Sequence, residues 1–339
     1  MSVQPTLSIV VPAHNEAGNL EALHAALVDV LDPRGIGFTV VIVDDGSTDA
    51  TPLELERLHS LDPRVGYLRL TRNFGLQSAL SAGLSHAHGD AVIVMDADLQ
   101  DDPAAIPRFL EEWRGGAEVV YAVRMNRKES WLRRLSVSAF YGIVSAISDV
   151  PIPRDAGSFA LYDRRVVDAI LALPERNRYL PGLRAWVGFR QVGVPVERQA
   201  RHSGRPAQTG SRLLRLAADG LFSFSKVPLR MATLLGFSVT TLSALALLVV
   251  LYWRFIQRSF PSGVGLATIA LALLFLGGVQ LLVLGIQGEY VGRVYDEVKQ
   301  RPAFFVDRVV GLHPGDREGG SRSADPDGLQ GSDSSRDVD

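Results

Sequence analysis

The chain contains no cysteine. Disulfide bonds, thiolate metal ligands and a cysteine nucleophile are therefore excluded. A surplus of charge of one sign is also missing, because the formal net charge is −2 over 339 residues. We accordingly expect no nucleic-acid partner, since such partners select basic surfaces. The polar N-terminus leads directly into a strand-like segment, so we expect no secretory signal peptide.

Common cofactor motifs are missing as well. The first strand-like segment is not followed by GxGxxG, and the chain has no GxxxxGK[ST] segment. Rossmann-type dinucleotide binding and P-loop chemistry are therefore disfavoured. The chain also lacks an HExxH motif or a histidine cluster, so the sequence gives no support to a zinc site.

What the chain does contain is a cluster of carboxylates directly after an apolar, strand-like run. Residues 92–95 (VIVM) lead into residues 96–102 (DADLQDD). At the carboxyl end of a parallel strand, Asp96, Asp98 and the amide of Gln100 would suit a divalent cation that bridges phosphates. The same run also suits an acidic turn that caps a helix beginning near Pro103. By itself, the run leaves both interpretations open.

Strand-like and helix-like segments alternate over the first hundred residues. Strands are predicted at 7–12, 38–43, 65–70 and 91–95, and helices at 20–31 and 77–87. This alternation predicts an α/β domain with a parallel or mostly parallel sheet and helices on both faces. The loops after Val11, Val43 and Met95 would then meet at one sheet edge. That edge would gather the carboxylates of Glu16, Asp45, Asp96 and Asp98.

These loops also have simpler interpretations. Residues 45–49 (DGSTD) are typical of turns and helix N-caps and need no ligand to explain them. His14 is equally consistent with a solvated loop histidine.

Two long uncharged segments follow Arg230. Residues 231–253 carry no charge, and residues 264–286 are the most apolar part of a second uncharged stretch. Each is long enough to cross a bilayer, which takes about 20 apolar residues. A pair of buried helices in a soluble protein is the alternative, but such helices rarely lack charge on every face. Basic residues in both flanks favour cytosolic flanks, with residues 254–263 as a short external turn.

The rest of the chain completes the predicted organisation around a cytosolic domain at residues 1–210. Residues 211–230 combine apolar side chains with four cations and predict an amphipathic helix at the membrane interface. Residues 131–147 have a similar composition, and each of these two segments either lies on lipid or packs against the domain. Residues 287–310 form a cytosolic C-terminal segment. Residues 311–339 carry seven acidic and three basic residues and predict a disordered acidic tail.

The ordered set of motifs resembles the inverting glycosyltransferases of family 2, which have a GT-A fold. The motifs are VPAHNE at 11–16, VDDGSTD at 43–49, RNFG at 72–75 and DADLQ at 96–100. Further segments, RDAGSF at 154–159, GEYVGR at 288–293 and VKQRP at 298–302, are similar to the polyprenyl-phosphate branch. That branch includes dolichyl-phosphate mannose synthases and the GtrB-like and ArnC-like enzymes. The resemblance implies an α/β GT-A domain followed by two transmembrane helices.

The resemblance also implies roles for individual residues. The nucleotide pocket would be lined by Pro12, His14, Glu16, Val43 and Asp45. The diphosphate and its Mg²⁺ or Mn²⁺ ion would be held by Asp96, Ala97, Asp98 and Gln100, with Asp96, Asp98 and Gln100 as metal ligands. Phosphates would contact Arg124 and Arg201. The residues implied in catalysis are Asp96, Asp98 and Asp155, of which Asp155 orients the acceptor or assists as a base.

Two positions depart from the family pattern. His14 stands where many relatives have tyrosine, which implies a different contact with the base. Ala207 replaces a lysine that helps to grip phosphate in relatives, and this loss puts the phosphate contact in doubt.

The reaction implied is transfer of one sugar from a nucleotide-diphosphate sugar to a polyprenyl phosphate, such as undecaprenyl phosphate. A UDP-sugar is favoured over GDP-mannose by the resemblance to GtrB-like proteins alone. The catalytic domain and both termini would lie on the cytosolic side of the inner membrane. Homotetramers occur among these relatives, and the sequence leaves the oligomeric state open.

Two alternatives remain beside this interpretation. A processive polysaccharide synthase shares the fold, but it needs a Gln-x-x-Arg-Trp element and several more membrane spans. A membrane-anchored binding or scaffold protein without activity is the other. The intact Asp-x-Asp at 96–98 argues against the scaffold, whereas Ala207 leaves room for it.

The role implied for Asp155 yields a kinetic prediction. We expect Asp155→Asn to lower kcat on the order of tenfold to a hundredfold, because a misplaced acceptor reacts slowly. The donor KM should stay close to that of the wild type, since the donor does not need this carboxylate. Steady-state kinetics with a fixed lipid acceptor measure both quantities. A variant with normal kcat and a raised donor KM would contradict the assignment.

Overall fold

The computed structural model describes residues 6–125, 156–175, 178–197, 227–255 and 266–312. These residues form one eight-stranded sheet with helices packed against it. Two long helices precede the last strand in the chain. The strands are β1 Leu7–Ala13, β2 Phe38–Asp44, β3 Val65–Leu70, β4 Ala91–Val94, β5 Val119–Met125, β6 Ala156–Asp163, β7 Gln191–Glu197 and β8 Val306–Val310. The α-helices are α1 Ala17–Leu31, α2 Thr51–Leu61, α3 Leu76–His86, α4 Ile106–Arg114, α5 Arg164–Ala172, α6 Leu180–Trp186, α7 Val227–Phe255 and α8 Leu266–Val298.

The centre of the sheet is parallel, as the alternating segments predict. The strand order is β7-β5-β6-β4-β1-β2-β3-β8. Strand β1 pairs in parallel with β2 and with β4, and β2 pairs in parallel with β3. The carboxyl ends of these four strands therefore lie at one edge of the sheet. The prediction that the loops after β1, β2 and β4 share an edge is confirmed.

The flanks of the sheet were not predicted. Strand β6 lies antiparallel between β4 and β5, and β5 pairs in parallel with β7. At the opposite edge, β8 pairs antiparallel with β3. The sheet is therefore mixed rather than mostly parallel over its full width.

The central strands are buried on both faces, which explains why they appear in the sequence as continuous apolar runs. All seven residues of β1 are buried. Ile9 and Val11 pack in the same core cluster as Leu23 and Leu27 of α1, whereas Val10 packs on the other face with Leu80 of α3. Each of these helices turns one apolar stripe to the sheet. The sheet edge that carries the loops is thereby held between two packed layers.

Two long helices lie between β7 and β8 in the chain. Helix α7 has 29 residues and α8 has 33, which gives lengths of about 43 and 50 Å. Large apolar side chains are exposed along both helices, among them Leu234, Phe237 and Leu242 of α7 and Leu273, Phe275 and Leu281 of α8. Within the part of the chain that the structure describes, no helix has the combination of length and apolar character that a membrane crossing requires. The spans at 231–253 and 264–286 thus stay predictions.

The predicted C-terminal segment at 287–310 contains the end of one helix and one strand. Helix α8 continues past residue 286 to Val298, and β8 follows as an edge strand of the sheet. The predicted interfacial helix at 211–230 falls mostly outside the described residues. The segment at 131–147 and residues 313–339 of the predicted tail lie outside them entirely.

A buried cation lies between α6 and the sheet. The side chain of Arg184 is fully buried, and its guanidinium carbon lies 4.6 Å from the centre of the Tyr121 ring. No carboxylate among the described residues pairs with this guanidinium. Burial raises the pKa of the Tyr162 hydroxyl, and both the charge of Arg184 and a hydrogen bond with its side chain oppose that rise. The cation–π contact is thus a main compensation for the loss of hydration.

This arrangement predicts that removal of the charge stabilises the fold. A buried charge without an ionic partner among the described residues loses several kcal/mol of hydration, more than one cation–π contact and one hydrogen bond to a neutral hydroxyl return. We expect Arg184→Met to raise the free energy of unfolding by on the order of 1 kcal/mol or more, measured as a higher Tm of the purified full chain. The control is Arg165→Met, because the Arg165 side chain is 75% exposed and should give little change. A lower Tm for Arg184→Met than for Arg165→Met would contradict the prediction.

Candidate functional site

The loop after β1 is fastened to the loop after β2. The backbone N–H of Asn15 donates to Ser47 Oγ at 2.9 Å, and Asn15 Oδ1 accepts from the backbone N–H of Thr48 at 2.9 Å. The backbone N–H of Glu16 donates to Thr51 Oγ1 at 3.0 Å. Asn15 has a φ of 59°, a left-handed conformation that asparagine tolerates better than most residues. The predicted site residue Glu16 is therefore held at the start of α1 by contacts from the β2 loop.

Asp45 joins a third loop to these two. Its carboxylate accepts hydrogen bonds from the backbone N–H groups of Phe74 at 2.7 Å and Gly75 at 2.9 Å. Its own N–H donates to Ala13 O at 2.9 Å, and its carbonyl accepts from His14 Nδ1 at 2.9 Å. The residue is only 4% exposed. Asp45 thus links the loops after β1, β2 and β3, although these loops are separate motifs in the sequence.

Gly46 shows how closely the β2 and β3 loops approach each other. Its φ is 64°, and an added Cβ would lie 2.4 Å from the backbone carbonyl carbon of Arg72. Because that neighbour is backbone, it cannot rotate away as a flexible side chain would. Only glycine fits the approach that allows Asp45 to reach Phe74 and Gly75.

The acidic loop after β4 has an internal order of its own. Asp101 accepts a hydrogen bond from the backbone N–H of Asp96 at 3.1 Å, and Asp98 accepts one from the N–H of Gln100 at 3.2 Å. The hydroxyl of Ser158 in β6 donates to Asp96 Oδ1 at 3.3 Å. Asp98 and Asp101 are 7% and 8% exposed. The loop therefore places two carboxylates, Asp96 and Asp98, at the carboxyl end of the strand beside β1.

Within the acidic run, the residue that caps a helical turn is Asp102. Asp102 Oδ1 accepts from the backbone N–H of Ala104 at 2.9 Å and caps the short 3₁₀ turn at Pro103–Ala105 that precedes α4. Leu99 has a φ of 59°, so the chain makes a sharp bend between Asp98 and Gln100. Helix capping therefore accounts for Asp102 and not for Asp96 and Asp98.

A metal site in this loop would be an open one. The described residues contain no cluster of three or more His, Cys, Asp or Glu side chains arranged to hold a metal ion. Mg²⁺ and Mn²⁺ are commonly bound by one or two carboxylates, with substrate phosphates and water as the other ligands. The oxygen donors of Asp96, Asp98 and Gln100 fit such an ion bound together with a diphosphate.

Several predicted site residues contribute backbone rather than side chain at this edge. Pro12 and Val43 are register partners in β1 and β2, and both are buried. The side chain of Val43 packs in the core against α3, and that of Ala97 packs in the core on the other face. Any contact of Val43 or Ala97 with a ligand would therefore come from the backbone.

The cationic part of the predicted site is less fully described. Arg124 lies in β5, where the structure describes its backbone alone. Asp155, Arg201 and Ala207 lie outside the described residues. Their predicted roles stay predictions.

Sequence reasoning missed three contributors to the geometry. Asp101 was seen only as part of an acidic run, and Ser158 only as part of a family motif. The N–H groups of Phe74 and Gly75 gave no side-chain signal at all. Their one trace in the sequence was the RNFG segment at 72–75.

Hydrogen bonding also affects the charge at this edge. Burial acts to raise the pKa of Asp49, but hydrogen bonds from Thr51 and from the Ala17 backbone outweigh it. The pKa of Asp49 therefore lies below its usual value. The carboxylate stays ionised at neutral pH and adds negative charge beside the N-terminus of α1.

Comparison with known proteins shows the family. The model of "Glycosyl transferase family 2" matches residues 8–171. A glycosyltransferase of Synechocystis sp. is 44% identical over 311 residues, which cover 90% of this chain and 96% of the relative. The bactoprenol glucosyl transferase of Shigella phage SfII is 38% identical over 305 residues, covering 88% and 97%. The chain therefore belongs to glycosyl transferase family 2, and it is a glycosyltransferase with a GT-A-like mixed α/β sheet.

Solved structures show a more distant likeness. A mannosyltransferase from Pyrobaculum calidifontis, solved with GDP-Man and Mn²⁺, is 18% identical with a TM-score of 0.45, covering 88% of this chain and 86% of that one. Mannosyl-3-phosphoglycerate synthase from Rubrobacter xylanophilus has the same identity and TM-score, with coverage of 76% and 78%.

The tight approach at Gly46 predicts a specific loss of stability. We expect Gly46→Ala to lower the free energy of unfolding by about 1–3 kcal/mol more than Gly35→Ala. Gly35 has nearly the same φ, 65°, but an added Cβ would meet nothing within 4 Å. Both variants carry the strain of a left-handed alanine, so their difference isolates the clash with the Arg72 backbone. Thermal unfolding of the two variants measures it, and equal losses would contradict the close approach.

Proposed function

We propose that the protein transfers one sugar from a nucleotide-diphosphate sugar to a polyprenyl phosphate at the cytosolic face of the inner membrane. The observation that carries the proposal is the acidic loop of Asp96 and Asp98 beside the interlocked loops after β1 and β2. Similarity to bactoprenol glucosyl transferases along nearly their whole length supports the lipid acceptor. The product would serve a cell-envelope glycan or lipid modification.

The donor would bind across the carboxyl edge of the sheet. Glu16 and Asp45, with Pro12, His14 and the Val43 backbone, would border the nucleotide. Asp98, with Asp96 and Gln100, would hold Mg²⁺ or Mn²⁺, which as a Lewis acid stabilises the negative charge that develops on the leaving diphosphate. Two hydrogen bonds within this loop, from the N–H of Asp96 to Asp101 and from the N–H of Gln100 to Asp98, would help to fix the carboxylate oxygens before the substrate binds.

The acceptor would need positioning more than activation. A lipid monophosphate has a second pKa of about 6, so it is largely dianionic at neutral pH and already nucleophilic. Two arginines, Arg124 and Arg201, would orient the anionic groups, since guanidinium binds phosphate oxygens in a bidentate way and stays charged. Asp155 would orient the acceptor phosphate rather than remove a proton.

The lipid acceptor requires a membrane location, and we propose that α7 and α8 supply it. Residues 231–253 carry no charge, and neither do residues 264–286. The apolar side chains exposed along both helices support contact with lipid, because water disfavours so much apolar surface. Both ends of this hairpin would lie in the cytosol with the catalytic domain. A homotetramer is the assembly that the resemblance suggests.

A donor panel tests the proposal directly. Membranes with the full chain would receive undecaprenyl phosphate and radiolabelled UDP- and GDP-sugars, with Mg²⁺ or Mn²⁺. We propose that a UDP-sugar is the donor, with GDP-mannose as the next candidate. Transfer to a water-soluble alcohol in place of the lipid would contradict the proposal. Nucleotide binding without transfer from any donor would favour a binding or scaffold protein instead.

The metal assignment predicts a severe loss in one variant. We expect Asp98→Ala to reduce transfer by on the order of 10³-fold or more, because the diphosphate loses its cation. Membrane insertion should be unchanged. The matched control is Asp102→Ala in the same acidic run, which removes a helix cap and should keep transfer within about threefold while lowering stability slightly. Retained transfer in Asp98→Ala would refute the assignment.

A further inference from the structure

The chain that follows α8 returns to the catalytic sheet. We call residues 304–312 the return segment. Its strand β8 lies along β3, with Tyr67 opposite Val310 and Leu70 opposite Val306. Two further contacts fix its far end: Arg308 forms an ion pair with Glu56 at 2.7 Å, and the Leu312 side chain covers Gly66 so closely that a Cβ there would clash. The far end of the return segment is therefore anchored independently of its beginning.

The beginning of the return segment contacts the loop after β3. The carbonyl of Phe305 accepts a hydrogen bond from the backbone N–H of Thr71 at 3.0 Å. The ring of Phe305 lies 6.3 Å from the ring of Phe74, at an interplanar angle of 49°. Phe304 packs against the same core cluster as Phe74. Residues 71–75 are thus held on one side by the chain that leaves α8.

Asp45 holds the same loop from the other side. Its carboxylate accepts the backbone N–H groups of Phe74 and Gly75. The carbonyl of Gly75 in turn accepts the backbone N–H groups of Ser78 and Ala79 in the first turn of α3. Phe74 is therefore the residue on which both sets of contacts meet. Its ring contacts Phe305, and its backbone contacts the aspartate that joins the loops after β1 and β2.

We propose that Phe305 is a positioning residue for the donor site. By supporting the Phe74 ring, it holds residues 71–75 in the place where Asp45 can bind them. The placement of Asp45 in turn sets the positions of the loops that carry His14 and Glu16. The inference rests on the proposed function in one respect, namely that these loops bind the nucleotide of the donor.

The geometry distinguishes this role from general support of the fold. Phe305 is 53% exposed, so its ring contributes little to the buried core. The ladder with β3, the Arg308–Glu56 ion pair and the Leu312 contact would keep the return segment in place without the ring. Loss of the ring should therefore loosen residues 71–75 and leave β3 and β8 paired.

The test compares three variants of the full chain in lipid nanodiscs. Phe305→Ala removes the ring, Phe305→Tyr keeps it, and Arg308→Ala breaks an exposed contact of the same segment. The readouts are hydrogen exchange of residues 71–76 and of β3, the Kd for UDP and for GDP with Mn²⁺, and kcat with the donor that the wild type uses. We expect Phe305→Ala to speed exchange at 71–76 alone and to weaken nucleotide binding roughly three- to tenfold. Its kcat at saturating donor should stay near that of the wild type, and the other two variants should match the wild type throughout.

Two results would overturn the inference. One is unchanged exchange at 71–76 and unchanged nucleotide affinity in Phe305→Ala. The other is faster exchange across β3 and β8 as well, which would make the residue merely structural. A wild type that transfers no sugar would contradict the proposed function, but the exchange and nucleotide measurements would still decide the role of Phe305.

Discussion

The site depends on one buried carboxylate that binds the backbone N–H groups of a neighbouring loop. Asp45 accepts two N–H groups from residues 74 and 75, at 2.7 and 2.9 Å, and its own backbone is bonded to the loop after β1. Charged acceptors make stronger hydrogen bonds than neutral ones, and removal of a buried partner leaves the others unsatisfied. Three loops that would otherwise move separately therefore behave as one unit. The nucleotide-binding role predicted for Asp45 and the structural role observed are compatible, since a rigid unit presents its neighbours in fixed positions.

The acidic loop after β4 obtains its rigidity in a different way. The N–H of Asp96 donates to Asp101, the N–H of Gln100 donates to Asp98, and the hydroxyl of Ser158 in β6 donates to Asp96. The two halves of the site are joined through the sheet, because β4 pairs directly with β1. A diphosphate that lies between them would connect a nucleotide half to a metal half. The strand pair sets the distance between the two halves.

The sequence predicts features that local patterns determine, but not contacts between residues that lie far apart in the chain. The parallel centre and its shared edge were predictable, because strands buried on both faces leave long apolar runs and turn residues mark their ends. Strand β8 was not, because three of its five residues are exposed and its partner lies more than two hundred residues earlier in the chain. Asp45 was recognised as a site residue through its motif, but its partners are main-chain groups that any residue provides. The complete burial of Arg184 was equally unpredictable, since nothing in its local sequence indicates it.

The return of the chain from α8 to β3 bears on the membrane location that we propose. A catalytic domain joined to its anchor at one point can swing about that point, whereas one joined at both ends of a helical hairpin is restricted. Here β8 joins the end of α8 back to the sheet. Strand pairing makes this junction stiff, and it also covers the edge of β3, which would otherwise expose unpaired backbone groups. If the acceptor is the lipid phosphate that we propose, the site has to be held at the headgroup level. The strand junction at β8 would then restrict the orientation of the site relative to the bilayer as well as its distance from it.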